Sequence, residues 1–289
     1  MPSKEFVGKP TEHYVTVRGI RLHYLDWGDT GPTMLMLHGD MRTSRSWDAL
    51  VRSLRSNFHI ICLNARGNGD SDWPETGYRF RDRMADLSAF CDALEIENTI
   101  GVGHSTGAVV MTLAARETPG RFNSLVLMEP MIVVGEEVQR MISRTDRPKR
   151  PRRTWVNKQE LYEYLKQHPT TSRWREDVIH DIVNFETMDL PSGSIDMKWA
   201  DATMSWMERE GDYVDLRPVF RNADIPMLYI VSGDRRKSFE DLDSLVSEIP
   251  DFHTITIDKT GHNMYMERPD AVSDAIKLFV NGEDLPSSI

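Results

Sequence analysis

Six short apolar runs limit what this chain can fold into: Thr33–Leu37, His59–Leu63, Thr99–Gly103, Ser124–Met128, Met227–Val231 and His253–Ile257. Each is too short for an ordinary helix and dense enough in apolar residues to read as a strand buried on both faces. Helical spacing fills the gaps between them. Trp47, Leu50, Val51 and Leu54 recur at helical intervals within 46–54, and Met84, Leu87, Phe90, Cys91 and Leu94 within 80–94. Further helices are expected at 108–116, 239–249 and 269–280. Strands and helices that alternate through short connections build a mostly parallel sheet with helices on both sides. Tyr14–Val17 and Ile20–Trp27, joined by Arg18-Gly19, add an antiparallel hairpin at the start. The expected fold class is α/β: a doubly wound, mostly parallel sheet of eight strands.

The alternation stops after Pro130. Residues 131–215 show no convincing buried strand, and helices are expected at 134–142, 158–167, 174–185 and 197–209. Four of the seven tryptophans (Trp155, Trp174, Trp199 and Trp206) lie in this segment. It reads as a helical cap over the carboxyl end of the sheet. The core is then 1–130 together with 216–289.

Where the third of these apolar runs meets its helix stands Gly103-His104-Ser105-Thr106-Gly107. A sharp strand–turn–helix junction strains its central residue and needs small neighbours, and it lifts the serine hydroxyl to the top of the sheet. Serine needs a base, and the base needs a third group to orient it. His262, in Gly261-His262-Asn263 after the last strand, is the best placed of nine histidines. Loops at the carboxyl ends of a doubly wound sheet converge on one rim, so His262 can reach Ser105. His104 should point away and pack. Two backbone donors would hold an oxyanion: Thr106 N–H at the helix start, and Asp40 N–H in His38-Gly39-Asp40-Met41. The Asp40 carboxylate must then turn away or pair, with Arg42 or Arg45 as candidates. Gly39, Met41, Trp155, Trp174 and Trp199 are the expected substrate contacts.

Together the segments 22–28, Leu37-His38-Gly39, 65–71, 102–107 and Gly261-His262 resemble the cap-bearing branch of the α/β-hydrolase superfamily, which includes meta-cleavage-product and enol-lactone hydrolases. Its dehalogenases and epoxide hydrolases carry Asp at the nucleophile position, and Ser105 argues against both. Asn64 and Asn68 depart from the Asp and His common in that loop. The usual place for the acid, three residues after the glycine that ends the penultimate large strand, here holds Arg236. Some members place the acid after the sixth strand, where this chain has Glu129. An ionised glutamate ending an apolar strand needs a partner, and a catalytic imidazolium is one. Glu129 is the preferred acid, with Asp234 as the alternative. The resemblance implies a serine hydrolase that needs no cofactor and no metal. It would cleave a carboxylic ester or lactone of a small, apolar or aromatic molecule. Hydrolysis of a carbon–carbon bond, as in the meta-cleavage enzymes, would use the same residues. A ligand receptor on the same scaffold, or cofactor-free oxygen chemistry, are weaker alternatives.

The net charge of −10 argues against nucleic acid as a partner. The amino-terminal residues lack a signal-peptide pattern, and no apolar run approaches a membrane span. With two cysteines, Cys62 and Cys91, expected as buried free thiols, the localisation expected is cytoplasmic. Seven basic residues lie between Arg140 and Arg153. They read as a solvated run, or as the source of an arginine that meets a substrate carboxylate. A homo-oligomer is left open.

Overall fold

The computed structural model describes residues 9–28, 31–134, 152–208, 214–235 and 240–289. Eight strands form one sheet: β1 (Thr11–Val17), β2 (Ile20–Asp26), β3 (Thr33–Leu37), β4 (His59–Leu63), β5 (Thr99–His104), β6 (Phe122–Met128), β11 (Met227–Ser232) and β12 (Phe252–Ile257). Their spatial order is β1-β2-β4-β3-β5-β6-β11-β12. The hairpin β1–β2 and the pair β2–β4 are antiparallel, and the remaining pairs are parallel. All eight strands of the expected sheet are present.

The dense apolar runs have their physical reason in the two faces of this sheet. Met34, Met36, Ile60, Cys62, Val102, Met128 and Ile230 face one buried cluster, while Leu35, Leu37, Ile61, Leu63, Leu127 and Tyr229 face the other. The helices α1 (Asp48–Leu54) and α9 (Pro269–Val280) pack on the first face. Helices α2 (Phe80–Ala93) and α3 (Thr106–Glu117) cover the second. Cys62 and Cys91 are buried and unpaired.

Between β6 and β11 lie helices α4 (Lys158–Gln167) and α5 (Glu176–Phe185), whose Leu161, Leu165, Ile179 and Ile182 extend the first cluster. Two departures from the expected helices occur here. Val133–Val134 form a short strand, β7, paired with β10 (Val214–Asp215), so a helix does not begin at Val134. The rest of the helix expected at 134–142 lies outside the described residues. Met197 ends a strand, β9 (Ile195–Met197), paired with β8 (Thr187–Asp189) across a turn at Pro191 to Gly193, and a 3-10 helix follows only from Asp201 to Glu208. All three residues of β9 are buried, so this segment does hold a buried strand. Three paired residues are too few to show a period of two.

The short segments α6 (Arg217–Arg221), α7 (Glu240–Ser247) and α8 (Met264–Glu267) complete the chain. The consequence for chemistry is positional. The strands β3, β5, β6, β11 and β12 are consecutive neighbours, and parallel, so their carboxyl ends share one rim.

Candidate active site

Ser105 leaves β5 and is the N-cap of α3, with φ 52° and ψ −121°. A side chain in this region is strained, and the surroundings enforce it. Its N–H donates to Met128 O at 2.9 Å, and its carbonyl accepts from Ala108 and Val109. The flanking glycines leave no room for alternatives. A Cβ on Gly103 would stand 2.4 Å from Ala108 Cα, and one on Gly107 would stand 2.3 Å from His38 O. Gly39 is equally confined: a Cβ there would meet Ser105 Cβ at 3.1 Å and His104 Nδ1 at 2.9 Å. The loop after β3 is thereby pressed against the serine turn.

Glu129 follows β6 at φ 46° and is fully buried. Its Oε2 accepts from His262 Nδ1 at 2.6 Å. The same oxygen accepts from Arg235 Nη1 at 2.7 Å. Its Oε1 accepts from the Ser232 N–H at 2.9 Å and from the Ser232 hydroxyl at 2.5 Å. Burial alone would push this carboxyl up, but the His262 hydrogen bond and the Arg235 charge outweigh it and hold the group at about 2. Glu129 is therefore a carboxylate at neutral pH. Asp234 is placed differently. It pairs with Arg173 and is half exposed, and its N–H donates to Thr260 O at 3.0 Å. Of the two carboxylates, Glu129 is the one hydrogen-bonded to His262.

His104 is buried, and its Nε2–H donates to His262 O at 2.9 Å, with the two rings 4.6 Å apart. Burial, and then the neighbouring His262, push its pKa well down, so it is a neutral prop under the His262 loop. Among the described residues no hydrogen bond joins the Ser105 hydroxyl to His262. His38 is neutral too, with burial taking it down to about 4. Its Nε2 accepts from Ala65 N–H at 3.1 Å, so its Nδ1–H donates to Gly39 O at 2.7 Å. This hydrogen bond fixes the backbone just ahead of Asp40.

The Asp40 carboxylate is paired, but the partner is Arg83 and not Arg42 or Arg45. Arg83 Nη1, from α2, donates to Asp40 Oδ1 at 2.7 Å, and Arg83 also binds Thr203 O. Arg42 instead pairs with Glu186 at 3.2 Å, and Arg45 with Glu12 at 2.6 Å. Glu186, buried beside α5, was not singled out by sequence reasoning. It accepts from the Thr43 N–H at 3.1 Å and the Thr43 hydroxyl at 2.9 Å, which ties the segment between β6 and β11 to the loop after β3. Met41 adopts φ 58° and is exposed on that loop. Thr106 is the first residue of α3, where an N–H has no carbonyl one turn back.

Trp155 and Trp174 are buried in the first cluster, and Trp199 is partly buried against it. The guanidinium of Arg42 lies 4.9 Å from the Trp174 ring, and that of Arg152 lies 4.2 Å from the Trp199 ring. Of the basic run, 140–151 lies outside the described residues. Arg152 pairs with Asp196 and Asp201, and Arg153 lies over Tyr164. Among the described residues no cluster of His, Cys, Asp and Glu could hold a metal ion, and no helix is long and apolar enough to cross a membrane.

Residues 34–275 match the profile of the alpha/beta hydrolase family. The non-heme chloroperoxidase of Streptomyces lividans is 34% identical over 116 residues, 39% of this chain and 42% of that protein. The match thus spans less than half of that relative's length. The 3-oxoadipate enol-lactonase 2 of Acinetobacter baylyi is 25% identical over 276 residues, 93% of this chain and 97% of the relative. Among solved structures, E-2-(acetamidomethylene)succinate hydrolase superposes with a TM-score of 0.81 at 23% identity, covering 94% of this chain and all of that one.

Proposed function

This chain belongs to the alpha/beta hydrolase family, and on that premise we propose that it is a serine hydrolase cleaving a carboxylic ester or lactone of a small molecule through an acyl-enzyme. The observation that carries the reading is the 2.6 Å hydrogen bond between Glu129 and His262 Nδ1, on the rim that also presents the strained Ser105. A carboxylate at Nδ1 leaves the lone pair of Nε2 for the serine proton.

The steps follow from that arrangement. Ser105 Oγ attacks the carbonyl carbon while His262 Nε2 takes its proton. Catalytic hydrogen bonds commonly tighten as substrate binds, and the Oγ–Nε2 contact forms at this stage. Glu129 stabilises the imidazolium. The N–H groups of Asp40 and Thr106 receive the oxyanion, an interaction worth about 3–4 kcal/mol per donor in such sites. Collapse of the tetrahedral intermediate breaks the ester C–O bond, and His262 returns the proton to the leaving oxygen. Water, deprotonated by His262, then attacks the acyl carbon and releases Ser105. Of the segment between β6 and β11, the described residues 152–208 serve in this reading as the cap over the rim. Support for a lactone comes from the end-to-end match to a relative named as an enol-lactonase.

The test is active-site labelling with a fluorophosphonate. Wild type should label at Ser105, and Ser105→Ala should not. A panel of neutral and carboxylate-bearing esters and lactones then ranks the substrates. A folded wild type whose Ser105 stays unlabelled overturns the proposal.

A further inference from the structure

Arg235 has no part in the chemistry above, yet it touches two of its members. Its Nη1 lies 2.7 Å from Glu129 Oε2 and 2.9 Å from His262 Nδ1. The guanidinium arrives from the solvent side, 43% exposed, while the carboxylate it meets is wholly buried. Arginine only donates, and Nδ1 either donates one hydrogen bond or accepts one. With the carboxylate at 2.6 Å, Nδ1–H donates to Oε2. Arg235 is then a second donor on the same oxygen and a permanent cation beside the ring.

We propose that Arg235 is a positioning residue that lowers the pH at which His262 can work as a base, by clamping Glu129 and setting a fixed positive charge beside the imidazole. This rests on His262 being the general base of the proposed reaction. Two effects follow from the geometry. Four donors saturate the carboxylate: the Ser232 N–H and hydroxyl on Oε1, and Arg235 with His262 on Oε2. The acid therefore cannot swing, and Nε2 stays the basic nitrogen. In addition, the imidazolium that forms during attack sits next to a cation that already shares its counterion. That favours the neutral ring and keeps the base available in more acidic solution.

The other groups around His262 do not duplicate this effect. The His104 ring lies tilted at 4.6 Å on the β5 side and is held neutral by burial. From α8, Glu267 accepts the Gly261 N–H at 3.1 Å and is itself paired with Arg173, which also binds Asp234. Among the described residues, Arg235 is the cation in contact with the imidazole.

The experiment compares wild type, Arg235→Gln and Arg235→Lys by NMR titration of labelled histidine, with His262 identified by its loss in His262→Gln. The acid limb of kcat/KM on the best ester is followed alongside. Arg235→Gln should raise the His262 midpoint by about one pH unit, the low end for a charge at this range because the guanidinium is half exposed. The acid limb should move with it. Arg235→Lys keeps the charge and should recover most of the shift. An unmoved midpoint in Arg235→Gln, or an equal shift in both variants, overturns the proposal. The titration needs no turnover. A shifted midpoint in a protein that hydrolyses nothing would sustain the electrostatic effect and fail the serine-hydrolase reading.

Discussion

Replacing Ser105 with glycine should raise the stability of the protein while deleting the proposed nucleophile. Ser105 holds φ 52° and ψ −121°, a combination that L-residues rarely adopt. Such a residue carries about 1–3 kcal/mol of backbone strain. Glycine adopts this conformation freely, at a cost of about 0.5–1 kcal/mol in unfolded-chain entropy. Little else is lost. The Ser105 N–H keeps its 2.9 Å bond to Met128 O in any variant. At the middle of both ranges the balance is a gain of about 1 kcal/mol. Ser105→Ala is the control, since it removes the hydroxyl but keeps the Cβ and therefore the strain. Urea denaturation followed by circular dichroism reads the difference, and thermal melting should show roughly 2 °C between the two variants in a chain of this length. If Ser105→Gly melts at or below Ser105→Ala, the turn stores no strain and the reasoning fails.

Glu129→Gln should cut ester turnover by about 10³–10⁴-fold, the size seen when a triad acid is neutralised. Asp234→Asn breaks only a surface ion pair and should change turnover by no more than about 3-fold; a large loss from that change alone would move the acid to Asp234. Asp48, buried at the start of α1, is raised by burial to about 8. Its folded pKa exceeds the unfolded one, so the fold holds a proton that the unfolded chain sheds, and stability is lost as pH rises from about 4 to about 8. Asp48→Asn should therefore gain on wild type by up to about 4 kcal/mol between pH 5 and pH 8 in urea denaturation. A gap between the two proteins that does not change with pH would exclude that role for the buried carboxyl.

What was legible in the sequence followed local rules. Six of the eight strands show in the sequence because burial on both faces demands dense apolar runs, as at Met34–Leu37 and Ile60–Leu63, and the largely exposed β1 and its partner β2 show through the turn at Arg18-Gly19. The serine turn does so because two glycines bracket it where a Cβ would strike Ala108 or His38. Less was legible where pairing is long-range. Arg83 reaches Asp40 from 43 residues away, and the nearer Arg42 and Arg45 are drawn to Glu186 and Glu12. Nothing local marks such choices, since charge attracts without regard to sequence spacing. Glu186 looked like one acidic residue among many, and only the fold buries it against Thr43. Nothing in the sequence separates Arg235 from its neighbour Arg236, which stands at the usual site of the acid. The strand β9 was missed because Ile195–Met197 is too short to show a period.

The location of Glu129 has a consequence for descent. Ser105 and Glu129 leave adjacent ends of β5 and β6, within one strand–helix–strand unit of the chain. The proposed nucleophile and the proposed acid are therefore inherited as a single cassette. A crossover falling anywhere between Pro130 and Met227 would graft a foreign intervening segment, and with it a new substrate range, without parting the two. A relative that keeps its acid after the penultimate strand would be split by the same event and would have to match the donor's acid to its own serine. Shuffled genes sharing the arrangement of this chain should yield active chimaeras more often.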